Sequence, residues 1–179
     1  MKIYTRKGDD GTTGLLYGAR VAKDSIHIEL NGAVDEAQAA LGLARSFCGN
    51  NSKLNEILIG LERDLWVLMA EVATLEASRS KLKEGSSRVS TKMVERIEEL
   101  IDEIADLFEM PKEFVVPGSN QLSAALDLAR TVIRRSERLS LGFCSEIPDS
   151  VVGVYLNRLS DLAWILARWC EAEHLLARG

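Results

Sequence analysis

"SNQLSAALDLARTVIRRSERLSL", residues 119–141, sets its apolar side chains at the spacing of a helix. Leu126, Ala129 and Ile133 make one stripe, and Arg130, Arg134 and Arg138 run along its margin, each four residues after the last. With Glu137 they fall within an arc of roughly 100°. Pro117 and Gly118 break the chain just before the run, so Ser119 or Asn120 is the expected N-cap. Like charges at this spacing repel by a few tenths of a kcal/mol per pair. Either an exposed stripe paired to a neighbouring helix or a bound anion accounts for them. Arginine suits an anion because its planar fork grips phosphate or carboxylate through two bonds.

The same period extends outward in both directions. Residues 27–46 carry Ile28, Val34, Ala37, Leu41 and Ala44; residues 53–77 carry Leu54, Leu58, Leu61, Leu65, Leu68 and Val72. Residues 91–108 repeat it with Val94, Ile97, Ile101, Ile104 and Phe108 under an acidic face, and a last helix is expected from Asp149, after Pro148, to about 176. Gly49-Asn50-Asn51, the polar stretch 78–90 and residues 111–118 separate these segments. The expectation is one all-α domain over residues 1–179, an up-and-down five-helix bundle with no strand. Residues 1–25 remain as a glycine-rich N-terminal extension.

At 179 residues the chain can bury a substantial core. No apolar run approaches the roughly 18 residues of a membrane span, and Met1–Arg6 has no apolar leader core. Cys48, Cys144 and Cys170 are an odd, unclustered set, as expected of free thiols in a cytoplasmic protein. The net charge of −5 argues against nucleic acid as a partner. Two basic islands interrupt the acidic background, at 1–25 and 130–138. They are either ordinary surface charge or the seat of a small anion.

Metal-ligand spacing is poor. Glu171 and His174 make one E-x-x-H, but His27 has only Asp24 in register, so no protein-held metal is expected and both histidines are placed at the surface or rim. No cysteine has a basic neighbour that would make it a thiolate nucleophile. On the last helix Asn157, Asp161, Trp164 and Arg168 align within about 60°. On the first, Asp35 stands among Gly32, Ala39, Gly42 and Ser46, either packing features or a groove for another helix or a flat ligand. In "YTRKGDDGTTGLLYGARVAKD" (4–24), Gly8, Gly11, Gly14 and Gly18 free the backbone to turn its N–H groups toward an anion. Thr12, Thr13, Lys7, Arg20 and Lys23 add donors and charge. The segment is no Walker motif, and a flexible terminus would have similar composition.

Four blocks in order, the 4–24 segment, "GAVDEAQAALG", "FVVPGSNQLSAALDLARTVIRRSER" and "YLNRLSDLAWILAR", together resemble the PduO-type ATP:cob(I)alamin adenosyltransferases. The resemblance implies a homotrimer with sites at subunit interfaces. It implies transfer of the 5′-deoxyadenosyl group of ATP to the cobalt of reduced corrinoid, releasing triphosphate, with Mg²⁺ on the phosphates. By motif, Thr5, Arg6, Lys7, Gly8, Thr13, Gly14, Lys23, Arg134, Arg135, Glu137, Arg138 and Asn157 would bind ATP. Phe114 resembles the aromatic that displaces the lower axial base of cobalamin. Asp35 and Arg130 resemble an ion pair linking subunits beside the corrinoid. Ser136 replaces a usual alanine and Ser119 a common glycine; both are small, and little effect is expected. A reductant or reductase for cob(II)alamin and an adenosylcobalamin-dependent acceptor enzyme are implied partners. The alternative is a non-catalytic trimeric bundle that senses ATP; it would have no need of Phe114 or of the Asp35 groove.

Overall fold

The computed structural model describes Tyr4 and residues 6–178. Its frame is five helices: α1 (Ile26–Ser46), α2 (Ser52–Val72), α3 (Thr91–Ala105), α4 (Gln121–Glu146) and α5 (Val152–Trp169). Facing pairs give their directions. Ser136 of α4 meets Ala33 of α1, while Gly142 meets Ile26, so these two helices run antiparallel. Arg168 of α5 meets Asp127 of α4, and Gly153 meets Ser140, so α5 reverses again. α1 also packs on α2, and α3 packs on α5. The bundle is up-and-down, as expected.

The core follows the apolar period. Leu30, Val34, Leu41, Leu58, Leu65, Leu68, Ile104, Leu126, Ile133, Leu159 and Leu166 are wholly buried. Gly153 lets α4 and α5 approach closely: a Cβ there would lie 3.0 Å from Ser140 Oγ. Asn120 caps α4 in a capping box, accepting from the Ser123 N–H at 2.9 Å while Ser123 Oγ accepts from the Asn120 N–H at 3.3 Å.

Four expectations are corrected. The 4–24 segment contains a short hairpin, with β1 (Thr12–Gly14) antiparallel to β2 (Arg20–Ala22), where no strand was expected. Leu16 N–H donates to Ala73 O at 2.9 Å, which docks the hairpin turn on the end of α2. His27 is buried rather than at the rim. Its Nδ1 lies 2.7 Å from Val72 O, so that nitrogen carries the proton, and its ring meets Phe143 edge-on at 5.5 Å. The last helix stops at Trp169, well short of 176, because Glu171 turns back to take hydrogen bonds from Arg168 at 2.9 Å and His174 at 3.0 Å.

α2 likewise ends at Val72, before residue 77. In its last turn Glu71, wholly buried, accepts from Arg79 at 3.0 Å, Val89 N–H at 2.7 Å and Ser150 Oγ at 2.7 Å. One carboxylate thus ties the α2–α3 connection to the α4–α5 turn. No helix among the described residues is long and apolar enough to cross a membrane.

Candidate functional site

A cavity of about 780 Å³ opens between the 111–117 loop, α4, α5 and the chain after α5. Pro111 and Pro117 keep the loop out of a helix. Its backbone is instead paired with the tail: Ala177 N–H donates to Phe114 O and Val116 N–H to Leu175 O, both at 2.8 Å, around a bridge of Val115 with Leu176. Held this way, Phe114 turns its ring outward, 89% exposed at the cavity wall. That is the fate of a loop residue and not of a core anchor.

The facing wall is the arginine run of α4. Arg130 and Arg134 both line the cavity, one turn apart. Arg134 is exposed, and among the described residues its guanidinium has no acidic partner; only its carbonyl is engaged, by Arg138 Nη1 at 2.9 Å. Arg130 behaves differently. Its Nε donates to Asp127 Oδ1 at 3.1 Å, and the other oxygen of that carboxylate accepts from Arg168 Nη2 at 2.5 Å. Arg168 is 1% exposed, sits 5.7 Å from the Trp164 ring centroid, and also donates to Glu171. Two buried carboxylates therefore balance the inner arginine, and the outer one stands at the cavity wall.

Of the α5 stripe, Asp161, Trp164 and Arg168 line the cavity, but Asn157 does not. Its Oδ1 accepts from Arg158 at 2.8 Å. Arg135 also departs from its neighbour Arg134. One residue further round α4, it pairs with Glu36 of α1 beside a second hollow of about 320 Å³, walled by Gly32, Ala33 and Leu139. Glu137 and Arg138 lie beyond the lining of either hollow. Asp35 is exposed on α1; within one chain Arg130 takes Asp127 as its carboxylate and not Asp35.

The N-terminal candidates gather elsewhere. Lys7 O accepts from Arg20 Nη2 at 2.7 Å, and a Cβ at Gly8 would meet the Lys23 Nζ at 3.4 Å. Thr13 and Gly14 lie in β1 opposite Val21 and Arg20, and Arg6 sits over the Tyr4 ring at 5.5 Å. Thr5 lies outside the described residues. Asp10 binds both the N–H and the hydroxyl of Thr12, and the backbone bond above all holds its carboxyl below the usual carboxylate range. None of these residues lines the Phe114 cavity. Two basic groups thus occur in one chain without meeting.

Among the described residues no group of three His, Cys, Asp or Glu could hold a metal ion. Burial first, then the neighbouring Cys48, pushes the Cys170 thiol up to about 12, the opposite of a nucleophilic thiolate. Asp127 was the residue that sequence reasoning missed. Its signal was an acid inside the otherwise apolar "SAALDLA", three residues before an arginine.

A family profile described as cobalamin adenosyltransferase matches residues 3–170. A corrinoid adenosyltransferase of Citrobacter freundii is 38% identical over 169 residues, covering 93% of each chain. One of Mycobacterium tuberculosis is 37% identical over 170 residues, covering 93% of this chain and 87% of its own. Among solved structures, a single-residue variant of the PduO-type ATP:corrinoid adenosyltransferase of Lactobacillus reuteri, complexed with cobalamin and ATP, superposes with a TM-score of 0.87. It is 26% identical, and the match covers 99% of this chain and 97% of that one.

Proposed function

Because this chain belongs to the cobalamin adenosyltransferase family, we propose that it transfers the 5′-deoxyadenosyl group of ATP to the cobalt of a reduced corrinoid, releasing triphosphate. The observation that carries this reading is the cavity in which a bare Phe114 faces the unpartnered guanidinium of Arg134. Cob(I)alamin is itself a strong nucleophile and asks no general base of the protein, in keeping with a site walled by arginine. The protein's part is to hold the ribose C5′ in line with cobalt and to offset the charge of the departing triphosphate. Arg134 would serve the second task. Phe114, projecting from its braced loop, would exclude water and the lower axial base from the cobalt.

ATP would be gripped by Arg6, Lys7, Gly8, Thr13, Gly14 and Lys23 together with Arg134, Arg135, Glu137, Arg138 and Asn157. Those groups lie apart in one chain, which is the support for a homotrimer in which the hairpin of one subunit meets α4 of the next. The exposed Asp35 would then pair with the outward-facing Arg130 of a neighbour. Mg²⁺ would travel on the triphosphate, since it keeps several waters and needs few protein ligands. A cytoplasmic reductase would supply the electron for cob(II)alamin, and an adenosylcobalamin-dependent enzyme would receive the product.

The test is direct. Chemically reduced cobalamin and Mg-ATP are incubated with the protein, and the product is identified by its absorbance. Adenosylcobalamin is expected; ATP binding without any cobalt–carbon bond would leave only the sensor alternative.

A further inference from the structure

Asp127 bridges two arginines of unequal standing. Arg168, beneath it, is buried and has nowhere else to go except Glu171; Arg130, above it, stands with a 26% exposed side chain at the cavity wall. We infer that Asp127 is a positioning residue for the corrinoid step: by taking the Nε of Arg130, it aims that side chain's two terminal nitrogens into the cavity. Arg168 in turn fixes Asp127. This rests on the corrinoid reading given above and assigns a role within it.

A guanidinium bonded through Nε can rotate little about its last torsions, so its terminal nitrogens keep one direction. Without Asp127 the Arg130 side chain regains its rotamers, and the cost of re-ordering it falls on each binding event. A carboxylate suits the place because it offers each arginine its own charged oxygen. Asparagine has one acceptor oxygen, and its amide N–H₂ would confront the second guanidinium. In an Asp127→Asn variant the oxygen goes to the buried Arg168, whose alternatives are fewest, and Arg130 is released. The fold should survive the change, since Arg168 keeps Glu171 and no buried charge is left alone.

The experiment is a double-mutant cycle read by corrinoid titration. Cob(II)alamin is added to the Mg-ATP-loaded protein and followed by its visible spectrum, with turnover measured in parallel. Asp127→Asn is expected to weaken corrinoid binding by about 10- to 100-fold, the worth of one hydrogen bond to a charged group. The KM for ATP should stay within about twofold. In an Arg130→Ala background the same change should have almost no further effect, because the two residues act as one unit. A second form, Asp127→Asn with Arg168→Met and Glu171→Gln, removes all three buried charges. It should show the corrinoid defect of Asp127→Asn alone, with its stability intact.

Equal losses in the two Arg130 backgrounds would mean that Asp127 serves only the fold, and the inference fails. So does wild-type corrinoid affinity in Asp127→Asn. If the wild-type protein forms no adenosylcobalamin at all, the corrinoid reading falls, and this role falls with it.

Discussion

Replacing Phe114 with alanine separates corrinoid chemistry from everything else the chain does. A fully buried phenylalanine cut to alanine costs about 3–5 kcal/mol. Phe114 is 89% exposed, so only about a tenth of that loss applies, on the order of 0.5 kcal/mol. For a chain of this length the melting temperature should then fall by about 1–2 °C. The loop itself is held by backbone bonds to Leu175 and Ala177, which the substitution leaves in place. ATP affinity should be unchanged. Adenosylation is then run twice, once with cob(II)alamin and a reductase and once with cob(I)alamin made chemically beforehand. Most activity should vanish in the first assay and much less in the second, because clearing the lower face of cobalt matters while the metal is being reduced. Equal losses in both assays refute the role assigned to the ring. A fall in melting temperature of about 6 °C or more would refute the exposure on which the magnitude rests.

Arg134→Ala should lose a charge-assisted contact to the leaving group, about 2–4 kcal/mol of transition-state stabilisation, or roughly 30- to 1000-fold in rate; unchanged turnover in a folded variant would count against it. Mg-ATP should slow amide exchange across residues 6–24, and saturating nucleotide that leaves those amides as fast as before would detach the hairpin from ATP. Asp64 offers a pH test: burial raises its carboxyl above 3.8, against the opposing bond from Tyr155 at 3.0 Å and the charge of Arg96. A raised acid favours the folded state while protonated, so its contribution is full below the unfolded value and is lost as pH rises through the folded one. Asp64→Asn, which can still accept from Tyr155, should therefore melt higher than wild type at neutral pH. That advantage should shrink in acid; a gain independent of pH would show that the charge is not its source.

Helices were the legible part of this chain because burial has a period. The apolar stripes read from 27–46, 53–77, 91–108 and 119–141 lie in or against the core, Ile28 excepted, and of the two expected caps Asn120 is the one that caps α4. Ends were less legible. α5 stops where Glu171 folds back onto Arg168 and His174, a set of pairings that no window of residues discloses. β1 and β2 are three residues each, too short to show alternation against their glycines and charges. Within the site, the regular spacing put Arg130 and Arg134 on one wall. The same arithmetic could not say that Arg135 would find Glu36, or that Arg168 of α5 would reach Asp127 of α4. Partner choice among charges depends on which helices touch, and that is a property of the packed bundle.

The clasp between the tail and the Phe114 loop is made by main-chain atoms alone. Two N–H groups and two carbonyls meet, and no side chain of Leu175, Leu176 or Ala177 takes part in those bonds. Substitutions can therefore wander freely over these positions while the wall of the cavity stays where it is. Proline is the exception, since at 116 or 177 it would delete a donor. The family profile ends at residue 170, just before this stretch. A feature that shapes the site can thus drift out of sight in sequence comparison and still persist in every copy of the fold that keeps an amide there.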